Sequence, residues 1–201
     1  MATIEHVVVL MLENRSFDSM LRRLYGNGVD FRGVPTGALN IYDGMSYPVW
    51  SSPDPLSPDS ARIPTPDPNE DFADMTAQIF GEGNSSKTPP TMSGFVANYA
   101  KTSTHRPGDI MHGFTPEQLL PVLNTLAKFY VVSDDWYASA PNQTWPNRFF
   151  LYAGTANGYV NNRPLHIPYM METVFNRLSE GGRSWGIYHH DVAQAATLTR
   201  I

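Results

Sequence analysis

The run Ile4-Glu5-His6-Val7-Val8-Val9-Leu10-Met11-Leu12, broken at once by Glu13-Asn14-Arg15-Ser16, restricts the fold more than any other stretch of the chain. Residues 4–12 are β-branched and apolar on both faces, which suits a strand buried between helix layers better than a half-exposed antiparallel one. The polar tetrad is then the turn that leaves the strand. Ser16 is placed to cap a helix over residues 17–26, with Gly26 and Gly28 as its stop. A carboxylate and an amide, Glu13 and Asn14, are thereby expected at the carboxyl end of a buried strand.

Two later segments repeat the arrangement: FYVVSD at 129–134, which runs into Asp134-Asp135, and SWGIYHHD at 184–191, which ends in His189-His190-Asp191. Helical patterns lie between these segments. DFADMTAQIFG (71–81) closes on Gly81, and PPTMSGFVANYAKT (89–102) starts after a proline pair. TPEQLLPVLNTLAK (115–128) has Thr115 as cap, Pro116 in the first turn and a bend expected at Pro121. PNRFFLYAGTA (146–156) tolerates Pro146 only in a first turn, which pins the helix start near Thr144; METVFNRLSEGG (171–182) stops on two glycines. Helices alternating with buried strands predict an α/β fold with a mostly parallel sheet and helices on both faces. Residues 43–70 hold seven of the 17 prolines and read as a long irregular loop, either a surface insertion or the rim of a site.

Composition narrows the chemistry. With no cysteine, neither a disulfide framework nor a thiolate site is open to the chain, so any metal must be held by oxygen or imidazole. The 14 Lys and Arg are scattered among 19 Asp and Glu, giving a net charge of −5, which argues against nucleic acid as a partner. Residues 7–12 are too short to span a bilayer and lack a basic flank, so no transmembrane segment or export signal is expected and a cytoplasmic location is the default. No serine occupies a G-x-S-x-G turn, which excludes that route to a nucleophile.

In open parallel sheets the ligand lies beyond the carboxyl ends of the strands. Glu13 therefore marks the edge of a candidate site. Thr144, at or next to a helix start, is an ordinary N-cap on one reading. On the other it is a nucleophile, provided that a nearby metal lowers the pKa of its hydroxyl. Glu13 and Asn14 offer oxygen ligands for such a metal. His112, just before the Thr115 cap, is structural on one reading and catalytic on the other.

Taken together, ENRSFDSML, HGFTPEQ and QTWPNRFF with AGTANG resemble the phosphoesterase family of bacterial phospholipases C, plant non-specific phospholipases C and related acid phosphatases. SGFVANY and SWGIYHHD extend the resemblance over nearly the whole chain. It implies the fold of the alkaline-phosphatase-like superfamily of metal-dependent phosphoryl-transfer enzymes. It also implies Glu13, Asn14 and Thr144 as ligands of a divalent cation, Thr144 as the metal-activated nucleophile forming a phospho-enzyme, and His112 at the transferred phosphoryl group or leaving oxygen. His190 becomes a substrate-binding candidate; Asn147 and Arg148 chiefly hold the loop and helix start, with substrate contact as the second reading of Asn147. The substrate implied is a phosphate ester or phospholipid, and relatives are often secreted.

Family members continue beyond the point matched by TLTRI and carry an acidic cluster there that completes the metal site. The expectation is thus the N-terminal part of a single domain, residues 1–201, with the sheet incomplete at its C-terminal end: a truncated product, a fragment, or one part of a split protein whose C-terminal half is on a separate chain. Two functions are compatible with that expectation. One is a phospholipase C-like hydrolase; the other is a phosphate-binding module without turnover.

Overall fold

The computed structural model describes residues 4–26, 30–85 and 88–198. In chain order the elements are α1 (Phe17–Leu21), the strands β1 (Leu39–Tyr42) and β2 (Met45–Pro48), α2 (Phe72–Phe80), α3 (Phe95–Tyr99), α4 (Pro116–Leu119), α5 (Pro121–Phe129), α6 (Thr144–Ala153) and α7 (Val174–Glu180). The chain forms two units. One comprises Met1–Ala38, Val49–Ile63 and His112–Asp135; the other comprises Leu39–Pro48, Pro64–Met111 and Trp136–Ile201.

The fold is mixed α/β, but its described sheet is the antiparallel pair β1–β2, with Leu39 opposite Pro48 and Tyr42 opposite Met45. The three segments expected as parallel strands, 4–12, 129–134 and 184–191, join no ladder among the described residues. Val7, Val8, Val9, Leu10 and Leu12 are 70–91% exposed. Composition favours an extended backbone there, but a strand also needs a neighbour's N–H and C=O groups, and the described residues provide none. The hairpin instead falls at the start of the proline-rich stretch. Asp43 and Gly44 both have positive φ, 49° and 72°, as a two-residue turn matched to strand twist requires.

In the first unit, Ser16 caps α1 as its position predicts: its Oγ accepts from the Ser19 N–H at 3.1 Å. The helix stops at Leu21, short of Gly26; Gly28 lies outside the described residues. Leu21 and Leu24 pack with Ala127 of α5, flanked by Phe17, Met20, Phe31 and Leu123. Residues 115–128 form two helices rather than one bent helix. Pro121 has no N–H to continue the first, so α4 ends at Leu119 and α5 restarts at Pro121 itself. Asp134 and Asp135 are held locally: Asp134 accepts from the Arg32 N–H at 2.5 Å, and Asp135 pairs with the Arg32 guanidinium at 2.6 Å.

In the second unit, α2 closes on Gly81 (φ 87°) and lies against α3. Buried Asn40 of β1 ties the hairpin to the start of α3, donating to Met92 O and accepting from the Val96 N–H. Fully buried Asn98 bridges to α2, accepting from Gln78 Nε2 and donating to Asp74 Oδ1, both at 2.8 Å. Asn40 and Asn98 are paired on both amide atoms, which removes the penalty of burying them. A separate aromatic core anchors α6: Phe149 and Tyr169 are fully buried with ring centroids 4.8 Å apart, and Tyr159 meets Tyr169 edge-on at 4.7 Å. Thr173 starts α7 with a reciprocal capping box to Asn176.

Candidate active site

The residues singled out from the sequence divide between the units. Glu13, Asn14 and His112 belong to the first; Thr144, Asn147 and His190 belong to the second.

Glu13 and Asn14 are exposed in the irregular segment that leads into Ser16 and α1. Among the described residues no group of three His, Cys, Asp or Glu side chains is arranged to hold a metal ion. Glu13 and Asn14 offer at most three side-chain oxygens, two from the carboxylate and one from the amide, where a hard cation takes six or more, so the donor set does not fit a complete site.

His112 is buried and fixed by what surrounds it. Its ring lies on Trp50, centroids 4.5 Å apart, and meets Phe114 edge-on at 5.4 Å. The next residue, Gly113, donates its N–H to Trp50 O at 3.0 Å, and Phe114 donates to Ser19 O at 2.8 Å, which ties the histidine loop to α1. The bolt of this arrangement is Arg22. Its buried guanidinium donates to Trp50 O at 2.5 Å and to Ser51 Oγ at 2.8 Å, and Ser51 Oγ in turn donates to Gly113 O. Burial lowers the Arg22 pKa to about 10, with Arg23 adding to the effect and Asp18 opposing it. A Cβ at Gly113 would lie 2.3 Å from the guanidinium carbon, so a side chain there would have to displace the Arg22 guanidinium. Arg22→Ala is expected to cost about 2–3 kcal/mol, because the Trp50 carbonyl and Ser51 hydroxyl lose a charged donor and the packing opens. Urea unfolding measures the loss, and Trp50 emission should shift as the His112 stack loosens.

Thr144 is the first helical residue of α6, and the N-cap is Gln143. The Thr144 hydroxyl is half-buried and makes no hydrogen bond to any described residue, so it does not serve as a cap. Asn147, one turn on, folds the preceding loop: its Nδ2 donates to the carbonyls of Ala140, Asn142 and Gln143 at 2.9–3.3 Å, and its Oδ1 accepts from the Ala140 N–H at 3.4 Å. That occupies its amide with the backbone before Thr144. His190 is exposed, with its Nδ1 3.1 Å from Asp191 Oδ1. Arg22 was not legible in the sequence, since Leu-Arg-Arg-Leu on a short helix reads as a solvated face. Asn162 and Gln143, both bound to the α6 start, were not legible either.

Among the described residues no helix is long and apolar enough to cross a membrane. Non-specific phospholipase C1 of Arabidopsis thaliana is 34% identical over 194 residues, covering 94% of this chain and 35% of the relative. Non-specific phospholipase C3 of the same plant is 36% identical over 200 residues, covering 92% and 36%. A non-hemolytic phospholipase C of Burkholderia pseudomallei is 26% identical over 196 residues, covering 92% and 26%. The chain thus spans about a third of the length of the plant relatives. The model of the Phosphoesterase family matches residues 4–200, a span that takes in the Glu13 turn, the locked His112 loop and the Thr144 helix start alike, and the chain belongs to that family.

Proposed function

We propose that the protein hydrolyses phosphate esters, most simply as a phospholipase C-like phosphodiesterase, with Thr144 as nucleophile. The observation that supports this reading is the state of Thr144: a hydroxyl with no hydrogen bond to any described residue, at the start of a ten-residue helix whose dipole favours an anion. In the proposed step the Thr144 Oγ attacks phosphorus and loses its proton, and the ester oxygen leaves with a proton. The threonine then carries the phosphoryl group with its remaining ester, and water splits that intermediate, releasing the phosphomonoester and restoring the hydroxyl. His112 has the role of handling the leaving oxygen, and His190 and Asn147 that of substrate contact, on resemblance alone. The names of the relatives extend the proposal to a phospholipid substrate. We also propose that the apolar segments at 4–12, 129–134 and 184–191 are strands of a mostly parallel, alkaline-phosphatase-like sheet in a longer assembly of this family. Partner strands and remaining metal ligands would come from polypeptide beyond residues 1–201.

A divalent cation, when bound, would supply charge neutralisation at the phosphate, and Glu13 and Asn14 are the residues offered to it. Because they provide at most three oxygens, calorimetry with Mg²⁺ or Ca²⁺ is expected to give weak binding, with a Kd on the order of millimolar. Glu13→Gln and Asn14→Ala should each weaken it further, and unchanged binding in both variants would remove them from the metal site.

A second reading, a phosphate-binding module without turnover, is favoured by the absence of a complete metal-ligand group among the described residues. Acid-quenched mass spectrometry after incubation with an activated phosphodiester separates the two. The probe's phosphoryl group, still carrying its second ester, on the Thr144 peptide supports the hydrolase. An amide shift at Thr144 with inorganic phosphate, but no covalent label, supports the binding module. Neither signal would sink both.

A further inference from the structure

The first turn of α6 has few N–H groups to offer an anion. The Trp145 N–H donates to Asn162 Oδ1 at 2.7 Å, Pro146 has no N–H, and the Asn147 N–H turns back to Gln143 O at 3.4 Å. The Thr144 N–H alone has no partner among the described residues.

Asn162 reaches this helix from 17 residues downstream, and the contact is reciprocal. Its backbone N–H donates to Gln143 Oε1 at 2.6 Å, while Gln143 Nε2 donates to Asp71 Oδ1 at 2.9 Å. Gln143, although the N-cap residue, makes no side-chain cap of its own. The capping acceptor that a Ser, Thr or Asp would ordinarily supply locally is supplied here by Asn162, and the Gln143 side chain is turned outward to hold Asn162 and Asp71. The arrangement fixes both the direction of the first helical turn and the donor left over.

We propose that Asn162 is a positioning residue for Thr144. By taking the Trp145 N–H it leaves the Thr144 N–H and hydroxyl as the adjacent pair facing a phosphoryl group, and with Gln143 and Asp71 it holds that pair in place. The inference rests on the reading of Thr144 as the group that meets phosphate. A helix start displaced by about 1 Å is enough to lower phosphoryl transfer roughly 100-fold.

The test uses the full ¹⁵N-labelled chain, the variants Asn162→Ala and Asn162→Asp, and inorganic phosphate as probe. Asn162→Ala is expected to speed hydrogen exchange of the Trp145 amide at least about tenfold, whereas Asn162→Asp, which keeps the acceptor, retains protection. In phosphate titrations followed at the Thr144 amide, Asn162→Asp should bind about 5- to 10-fold more weakly than wild type, because a second negative charge then stands at the helix start. A residue that merely stabilised the fold would show no such split between retained protection and lost affinity. Unchanged Trp145 exchange in Asn162→Ala overturns the proposal, as does phosphate affinity in Asn162→Asp equal to wild type. If Asn162→Ala fails to fold, the Asn162→Asp titration decides. A wild-type Thr144 amide indifferent to phosphate brings down the functional reading of Thr144 and the positioning role with it; the Trp145 exchange result still reports separately whether the Asn162 bond exists.

Discussion

Thr144→Ala is expected to abolish phosphoryl transfer onto the chain and to lower any phosphodiester turnover by about 1000-fold or more, the usual scale for loss of a nucleophile. Its stability should stay within about 0.5 kcal/mol of wild type. The second half of this expectation comes from the position of Thr144 inside the first turn. The hydroxyl caps nothing, Gln143 is the N-cap, and the Trp145 N–H is satisfied by Asn162. Activity and stability therefore separate at this residue. Covalent labelling read by mass spectrometry, together with a urea midpoint on the same preparation, checks both halves. Retained labelling would show that another group takes the phosphoryl, and a large fall in midpoint would show that the hydroxyl has a structural partner.

Gly94→Ala is expected to be the most damaging small substitution in the second unit, destabilising by about 3 kcal/mol or more. A Cβ there would lie 1.9 Å from the Ala77 carbonyl oxygen and 2.8 Å from its carbon. Both are backbone atoms of α2, so no side chain can rotate away. Relief would require α2 and α3 to separate, which would strain the Gln78–Asn98–Asp74 bonds between them. Gly26→Ala is the control, since no atom of the described residues lies within 4 Å of its Cβ position, and it should change stability by less than about 0.5 kcal/mol. Equal urea midpoints for Gly94→Ala and wild type would mean that the close approach does not exist.

Local signals in the sequence translated into structure where the chemistry was local. Ser16 caps α1, Pro116 opens α4, Gly81 ends α2, and the paired glycines follow α7, because each acts within one turn of itself. The three expected strands did not form ladders, because pairing depends on a partner that composition does not encode. The β1–β2 hairpin sits at the edge of a proline-rich stretch whose composition reads as irregular loop, even though Asp43-Gly44 is a strong turn signal. Of the candidate site, the helix start at Thr144 was legible from Pro146. The supports were not: Arg22 reaches 28 residues to Trp50, and Asn162 reaches back 17 to Trp145.

The exposed run at residues 7–12 has a consequence for colloidal behaviour. Six apolar residues outside any helix or ladder, without proline or charge, form a segment of the kind that stacks into dry intermolecular zippers. Charged gatekeepers bound it on both sides, Glu5 before it and Glu13 with Arg15 after it, all exposed. Glu13 thus carries a burden unrelated to any cation: its charge keeps copies of the segment from docking in register. Neutralising it removes one gatekeeper, so Glu13→Gln protein should be compared with wild type at low concentration, where self-association cannot imitate a change in metal affinity.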